Sequence, residues 1–232
     1  MIARGYVEAG AKVYVASRSE EACKEIAELL SKSGECIGIP ANLATQEGCI
    51  ALADKIKARE KELHILVNNA GANWGAPYAD FPASAWDRVL DLNVKGPFFL
   101  TQALTPLLEK GTREGDPARV INTGSIDGIQ VPILDTYSYS ASKAAIHHLT
   151  KVLARKLAPK ITVNAIAPGP FESKMMAATL ANFGDSIRES CPLKRIGEPE
   201  DMAGVAIYLA SRAGAYVDAT VIPVDGGISG TR

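Results

Sequence analysis

Tyr139 and Lys143 stand four residues apart in Tyr139-Ser140-Ala141-Ser142-Lys143. On a helix that spacing puts both side chains on one face, a turn apart. An ammonium beside a phenol favours the phenolate and lowers a tyrosine pKa from about 10. A tyrosine tuned in this way works as an acid or base nearer neutral pH. Alone, the pair fits surface decoration equally well. Tyr137 lacks the partner, because Ala141 stands four residues on. Ser125 follows an apolar run in Asn122-Thr123-Gly124-Ser125. Its hydroxyl there suits a substrate oxygen, or simply a turn. Asn68-Asn69-Ala70-Gly71 follows another run. Small residues at that place admit a ligand close to the backbone, and also make an ordinary turn. His147 and His148 are adjacent and point about 100° apart on a helix. With no matching carboxylate cluster they read as helix-surface or interface residues, and no metal is expected.

Such groups need rigid elements to hold them. Short apolar runs predict strands at residues 12–16, 35–39, 63–67, 119–122, 161–165 and 220–223. Amphipathic stretches predict helices at 19–32, with Ser19 as cap and Gly34 as stop, and at 45–59, with Thr45 as cap. Further helices are predicted at 83–110, broken near Gly96-Pro97, at 136–157 and at 199–211. Alternating strands and helices, with near-continuous apolar strands, predict a parallel sheet covered on both faces. Ligands in such sheets bind beyond the carboxyl ends of the strands. The stretch 171–195 has no strong pattern. A long loop there reads as a lid, and its apolar cluster Met175-Met176-Ala177-Ala178 suits a greasy ligand.

The 232 residues suit a single α/β domain spanning 1–232. With 25 basic and 26 acidic residues the net charge is -1, which argues against a nucleic-acid partner. No apolar run approaches the roughly 20 residues of a membrane span. Cys23, Cys36, Cys49 and Cys191 form no C-x-x-C pair, which suits a reduced, cytoplasmic protein.

Taken in order, the motifs resemble the short-chain dehydrogenase/reductase family over nearly the whole chain. Asn69-Ala70-Gly71 matches its NAG element, and Asn93 in Leu92-Asn93-Val94 matches its catalytic asparagine. Ser125 precedes Tyr139 at close to the family spacing. Tyr139-x-x-x-Lys143 matches the signature, and Pro168-Gly169 matches the PG turn. The resemblance implies a Rossmann-type, doubly wound parallel sheet and carbonyl–alcohol chemistry with a nicotinamide cofactor. Tyr139 would protonate the forming alkoxide, or deprotonate an alcohol in reverse. Lys143 would lower its pKa and bond the nicotinamide ribose. Ser125 would hold the carbonyl oxygen, and Asn93 would position a water linking Lys143 to solvent. Asn69, Ala70 and Gly71 would line the adenosine side. Pro168, Gly169, Phe171 and Ser173 would border the nicotinamide. Ser173 stands where threonine is usual. Asn42, ahead of Leu43, stands where aspartate is usual; these two would sit by the adenine.

The strand at 12–16 ends in Ser17-Arg18, with no carboxylate for a ribose 2′-hydroxyl. Arg18 is instead free to pair with a 2′-phosphate, so NADPH is the expected cofactor. The family's first strand and its T-G-x-x-x-G-x-G loop are missing from this chain. Residues 1–11 match only the helix after that loop. The loop normally cradles the pyrophosphate, and the strand sits at the sheet's centre, between 12–16 and 63–67. Losing it removes core burial comparable to a whole domain's stability. The expectation is therefore a marginal or unfolded chain, with an internal methionine taken as the start of a longer protein, or else a truncated relative. Within the family the chain looks most like NADPH-dependent 3-oxoacyl reductases, including the rhamnolipid kind. Its substrate would be a small or acyl-chain ketone. Alternatives are a sugar, polyol or other secondary-alcohol dehydrogenase, and a non-catalytic relative. The family implies a homotetramer or homodimer, with the segment 222–227 at one interface.

Overall fold

The computed structural model describes residues 1–173 and 176–231. In chain order the main elements are α1 (Ile2–Glu8), β1 (Val13–Ser17), α2 (Glu20–Leu30), β2 (Cys36–Pro40), α3 (Gln46–Lys57) and β3 (Ile65–Asn68). There follow α4 (Ala83–Leu90), α5 (Gly96–Gly111), β4 (Ala118–Thr123), α6 (Tyr137–Leu157), β5 (Ile161–Pro168), α7 (Ala177–Ser190), α8 (Pro199–Ala210) and β6 (Val221–Val224). Every strand pair is parallel. The fold is the α/β Rossmann type, but the sheet comes in two pieces among the described residues: β1-β2, and β3-β4-β5-β6. That split is the one implied by a missing strand between 12–16 and 63–67. β1 is half-buried, whereas β4 and β5 are buried up to their last residue.

Side chains alternate across a strand, and here the alternation feeds two cores. Val120 and Val163 pack with Leu104 and Leu108 of α5 and Leu52 and Ile56 of α3. Ile121 and Ile166 pack on the opposite face with Met202, Ala206 and Leu209 of α8. Ile2 and Tyr6 join this second core, and the Tyr6 hydroxyl donates to the Ala206 carbonyl at 2.9 Å. Gly5 is needed at that contact, since a Cβ would lie 2.6 Å from Ala203 Cβ.

Both predicted caps hold their helices. Ser19 Oγ accepts from the Ala22 amide and Thr45 Oγ1 from the Gly48 amide, each at 3.1 Å. Two expectations are corrected. The stretch 171–195 is no open loop but carries α7. The interruption expected at Gly96-Pro97 falls just upstream, as a π turn at Asp91–Lys95 between α4 and α5. Of the apolar cluster expected to act as a lid, Met175 lies outside the described residues.

Four polar side chains cross the core as a chain. Asn68 Nδ2 donates to Thr101 Oγ1 at 3.2 Å and to Asn122 Oδ1 at 2.8 Å, and Asn122 Nδ2 donates to Thr150 Oγ1 at 2.9 Å. This network joins α5, β3, β4 and α6 directly behind the carboxyl ends of the strands. Buried polar groups are stable only when paired in this way.

Candidate active site

Tyr139, Lys143 and His147 occupy successive turns of one face of α6. Lys143 is 4% exposed, and its ammonium donates to the Thr123 carbonyl at 2.8 Å, at the end of β4. Burial lowers its pKa to about 8, and the nearby Asp127 carboxylate opposes the fall. Lys143 Nζ lies 5.3 Å from the centroid of the Tyr139 ring, over its face. The expected drop in the phenol's pKa is not what this geometry produces. Burial raises the Tyr139 pKa, and the group working against the rise is the Ser125 hydroxyl. The ammonium is spent on a carbonyl rather than on the phenol oxygen.

Ser125 is buried and opens the short 3-10 turn Ile126–Gly128, its Oγ accepting from the Asp127 amide at 3.1 Å. Asn93, 2% exposed, sits in the π turn, a distortion that often marks functional sites. Its Oδ1 accepts from the Ala72 amide at 2.8 Å, while Nδ2 donates to the Ala72 carbonyl and to Ser142 Oγ, both at 2.9 Å. Asn93 thus ties the loop after β3 to α6 at the residue next to Lys143. The structure brings Asn93, Ser125, Tyr139 and Lys143 together at the carboxyl ends of β3 and β4.

A cavity of about 520 Å³ opens beside this cluster, with Arg18, Ala44, Gly71, Trp74, Arg88 and Asp91 on its wall. At Gly71, on the cavity wall, an added Cβ would lie 3.5 Å from Asn93 Oδ1 and 3.9 Å from Lys143 Nζ, so this part of the wall backs onto the catalytic groups. Its wall also includes Asn73, whose Oδ1 is buried with no partner among the described residues. Asp91 is committed to Lys95 at 2.7 Å, which leaves two guanidiniums as the cavity's charged donors. That donor set suits a phosphorylated nucleotide.

Of the expected cofactor residues only Arg18 and Gly71 are on this cavity's wall. Ser17 is held by the Ser19 carbonyl at 3.1 Å and lies 3.3 Å from Cys23 Sγ. Asn42 is exposed, its Oδ1 accepting from the Ala44 amide at 3.2 Å, and Leu43 packs partly into the core. Asn69 accepts from Thr123 Oγ1 at 3.4 Å, and Ala70 follows it, half-buried. Pro168 ends β5, and Gly169 leaves no room for a side chain, since a Cβ would meet Asp225 Cβ at 2.6 Å. Ser173 is exposed and accepts from the Met176 amide at 3.2 Å. Phe171 needs correction. Its ring is 5% exposed and packs in the core with Ile121, Ile166 and Met202, so its side chain does not border the cavity.

Sequence reasoning also missed residues. Arg88 stacks on Trp74, 5.5 Å from the ring centroid, and faces the same cavity as Arg18. His147, expected on the helix surface, is 7% exposed beneath Ser125, while His148 is exposed. The i, i+4, i+8 spacing of Tyr139, Lys143 and His147 was the signal for it. Among the described residues no cluster of His, Cys, Asp and Glu could hold a metal ion, no helix is long and apolar enough to cross a membrane, and all four cysteines are free and buried.

The family profile described as Enoyl-(Acyl carrier protein) reductase matches residues 1–229. The chain is 45% identical over 231 residues to the rhamnolipids biosynthesis 3-oxoacyl-[acyl-carrier-protein] reductase of Pseudomonas aeruginosa, covering 98% of this chain and 90% of that protein. It superposes on the Pseudomonas aeruginosa RhlG/NADP active-site complex with a TM-score of 0.94 and 44% identity, covering 98% of this chain and 90% of the other. A gluconate 5-dehydrogenase from Burkholderia cenocepacia, in complex with NADP and tartrate, superposes with a TM-score of 0.91 and 30% identity, over 100% of this chain and 90% of that one.

Proposed function

The chain belongs to the short-chain dehydrogenase/reductase family, and we propose that it is an NADPH-dependent reductase of 3-oxoacyl or similar apolar ketones. The observation that supports this reading is that Tyr139 interacts with the Ser125 hydroxyl and stands a turn from the buried Lys143, while Arg18 and Arg88 line a cavity whose wall includes Gly71, beside Asn93. Arg18, with Arg88 nearby, holds the adenosine 2′-phosphate, and the loop 69–72 backs the nucleotide. NADPH, when bound, supplies the hydride. The Ser125 hydroxyl donates to the substrate's carbonyl oxygen and so aligns it with the Tyr139 hydroxyl. As negative charge grows on that oxygen, Tyr139 gives up its phenolic proton. A phenol whose pKa is held up by burial is protonated at neutral pH and ready for this step. Lys143 bonds the nicotinamide ribose and stabilises the phenolate left behind. Lys143 would then return a proton to the phenolate, and a water positioned by Asn93 would reprotonate Lys143 from solvent.

The apolar substrate is favoured by the segment between Ser125 and Tyr139. Ile129, Val131, Ile133 and Leu134 are all exposed there, Val131 and Ile133 by 92% and 94%. Exposed apolar side chains in the segment that joins Ser125 to Tyr139 suit an acyl chain better than a sugar acid. The relatives favour both readings, since one acts on 3-oxoacyl carriers and another carries the gluconate name. We place the protein in the cytoplasm, as its free cysteines suggest, and as a homotetramer or homodimer, as its family resemblance implies.

The deciding experiment follows NADPH oxidation with 3-oxoacyl thioesters of increasing length and with a keto-gluconate. Burying each methylene is worth up to about 0.8 kcal/mol, so kcat/KM should climb about threefold per methylene. Turnover of the keto-gluconate alone would overturn the acyl assignment.

A further inference from the structure

We infer that His147 is a positioning residue for the reaction, fixing the Ser125 loop against α6 through hydrogen bonds to both ends of it. The inference rests on the reading of Ser125 as the carbonyl-holding group. The Ser125 amide donates to His147 Nε2 at 3.4 Å, and the ring's other hydrogen bond goes to the Gly128 backbone. Between those contacts lies the turn that presents the Ser125 hydroxyl. The loop is built to lie flat on the ring. At Gly124 a Cβ would fall 2.1 Å from His147 Nε2, and at Gly128 it would fall 2.6 Å from the Lys143 carbonyl carbon. Both positions therefore exclude a side chain. The Gly124 amide is held from the far side by the Ile166 carbonyl at 2.7 Å. His147 thus supplies the helix-side clamp on a loop whose sheet-side clamp is β5.

The geometry requires a neutral ring, because an imidazolium cannot accept from an amide. Burial, reinforced by the Lys143 ammonium, lowers the His147 pKa to about 4. The ring stays a dual donor–acceptor at every pH where the enzyme works. A Ser125 hydroxyl displaced by about 1 Å is enough to cost about 10²-fold in turnover.

The test compares His147→Leu, His147→Gln and His147→Asn in the full chain. Gln reaches both partners, Asn is too short, and Leu offers neither bond. Relative to the parent, kcat should fall about 10²-fold in Leu and in Asn and less than about tenfold in Gln, with the NADPH dissociation constant within about twofold throughout. Amide exchange followed by NMR gives a second readout, independent of turnover. Exchange at the Ser125 amide should accelerate in Leu and Asn but not in Gln, while the Val120 amide is unchanged. Equal kcat and equal Ser125 exchange in Gln and Asn would overturn the inference, even if Leu fails to fold. Should the parent reduce no carbonyl, the proposed function fails by itself, and the exchange comparison still decides whether His147 clamps the loop.

Discussion

Lys143 Nζ stands over the face of the Tyr139 ring, 5.3 Å from its centroid, and its proton is bound to the Thr123 carbonyl at 2.8 Å. The two groups therefore titrate in opposite senses. Burial raises the phenol and lowers the ammonium to about 8. Reduction needs a protonated Tyr139 and a charged Lys143, and the ammonium is lost first as pH rises.

That order sets a pH profile. The groups facing Lys143 are Tyr139, Asp127 and His147, and only Lys143 titrates near 8. The kcat for reduction should hold near neutrality and fall as pH passes about 8. Stability moves the other way. The folded pKa lies below the ordinary lysine value of about 10.4, so between about 8 and that value the unfolded chain binds more protons and unfolding free energy rises with pH. Lys143→Met should lose activity and also lose this rise. Urea midpoints at both ends of that range, read beside the kcat profile, check it. A profile still rising above pH 9 would contradict the assignment.

Among the described residues Arg18 has no carboxylate partner, and it borders the cavity with Arg88. A charge-assisted bond to phosphate is worth about 1.5–3 kcal/mol. Arg18→Asp should therefore shift the NADPH/NADH ratio of kcat/KM toward NADH by at least about tenfold. Arg88→Gln should shift it in the same direction by less. Steady-state kinetics with both cofactors measure this, and an unchanged ratio in Arg18→Asp would sink the phosphate pairing.

Asn122 is fully buried and serves two partners, Asn68 and Thr150. Asn122→Ala leaves both with an unmet bond, at about 1–3 kcal/mol each. A urea melt should show a loss of about 2–4 kcal/mol. A loss below about 1 kcal/mol would mean that the network relaxes or takes up water.

Val131 and Ile133 are exposed on the rim between Ser125 and Tyr139. The double change Val131→Asp with Ile133→Asp should leave kcat on the shortest 3-oxoacyl thioester within about twofold, yet abolish the gain with chain length, because the buried methylenes are lost. A length series of kcat/KM reads this. An undiminished gain would move the acyl chain elsewhere.

All six strands were legible from their apolar runs, and Ser19 and Thr45 announced their helices. α7 was not legible. Leu180, Phe183 and Ile187 carry a helical period, but the helix buries little, Phe183 being 55% exposed, and Gly184 interrupts the pattern. Ser125, Tyr139 and Lys143 could be picked out because their chemistry is local to a strand end and one helix face, whereas Asn93, in the π turn, was marked only by the family resemblance. Arg88 could not be picked out, since its role arises from the packing of α4 beside the loop after β3, and His147 was marked only by sharing the face of Tyr139 and Lys143, its contact coming from the packing of α6 under the loop after β4. The Phe171 side chain was misplaced for the same reason: its neighbour Gly197, with no side chain, admits the ring to the core.

The most direct measurement is NADPH oxidation by the parent chain and by Tyr139→Phe on a 3-oxoacyl thioester, with NADPH binding followed by fluorescence. General acid catalysis contributes about 10²–10⁴-fold. The expected result is turnover by the parent, a loss of at least about 10²-fold in the variant, and the same NADPH affinity in both. Turnover by the variant at the parental rate, or no NADPH binding by the parent, would contradict the account.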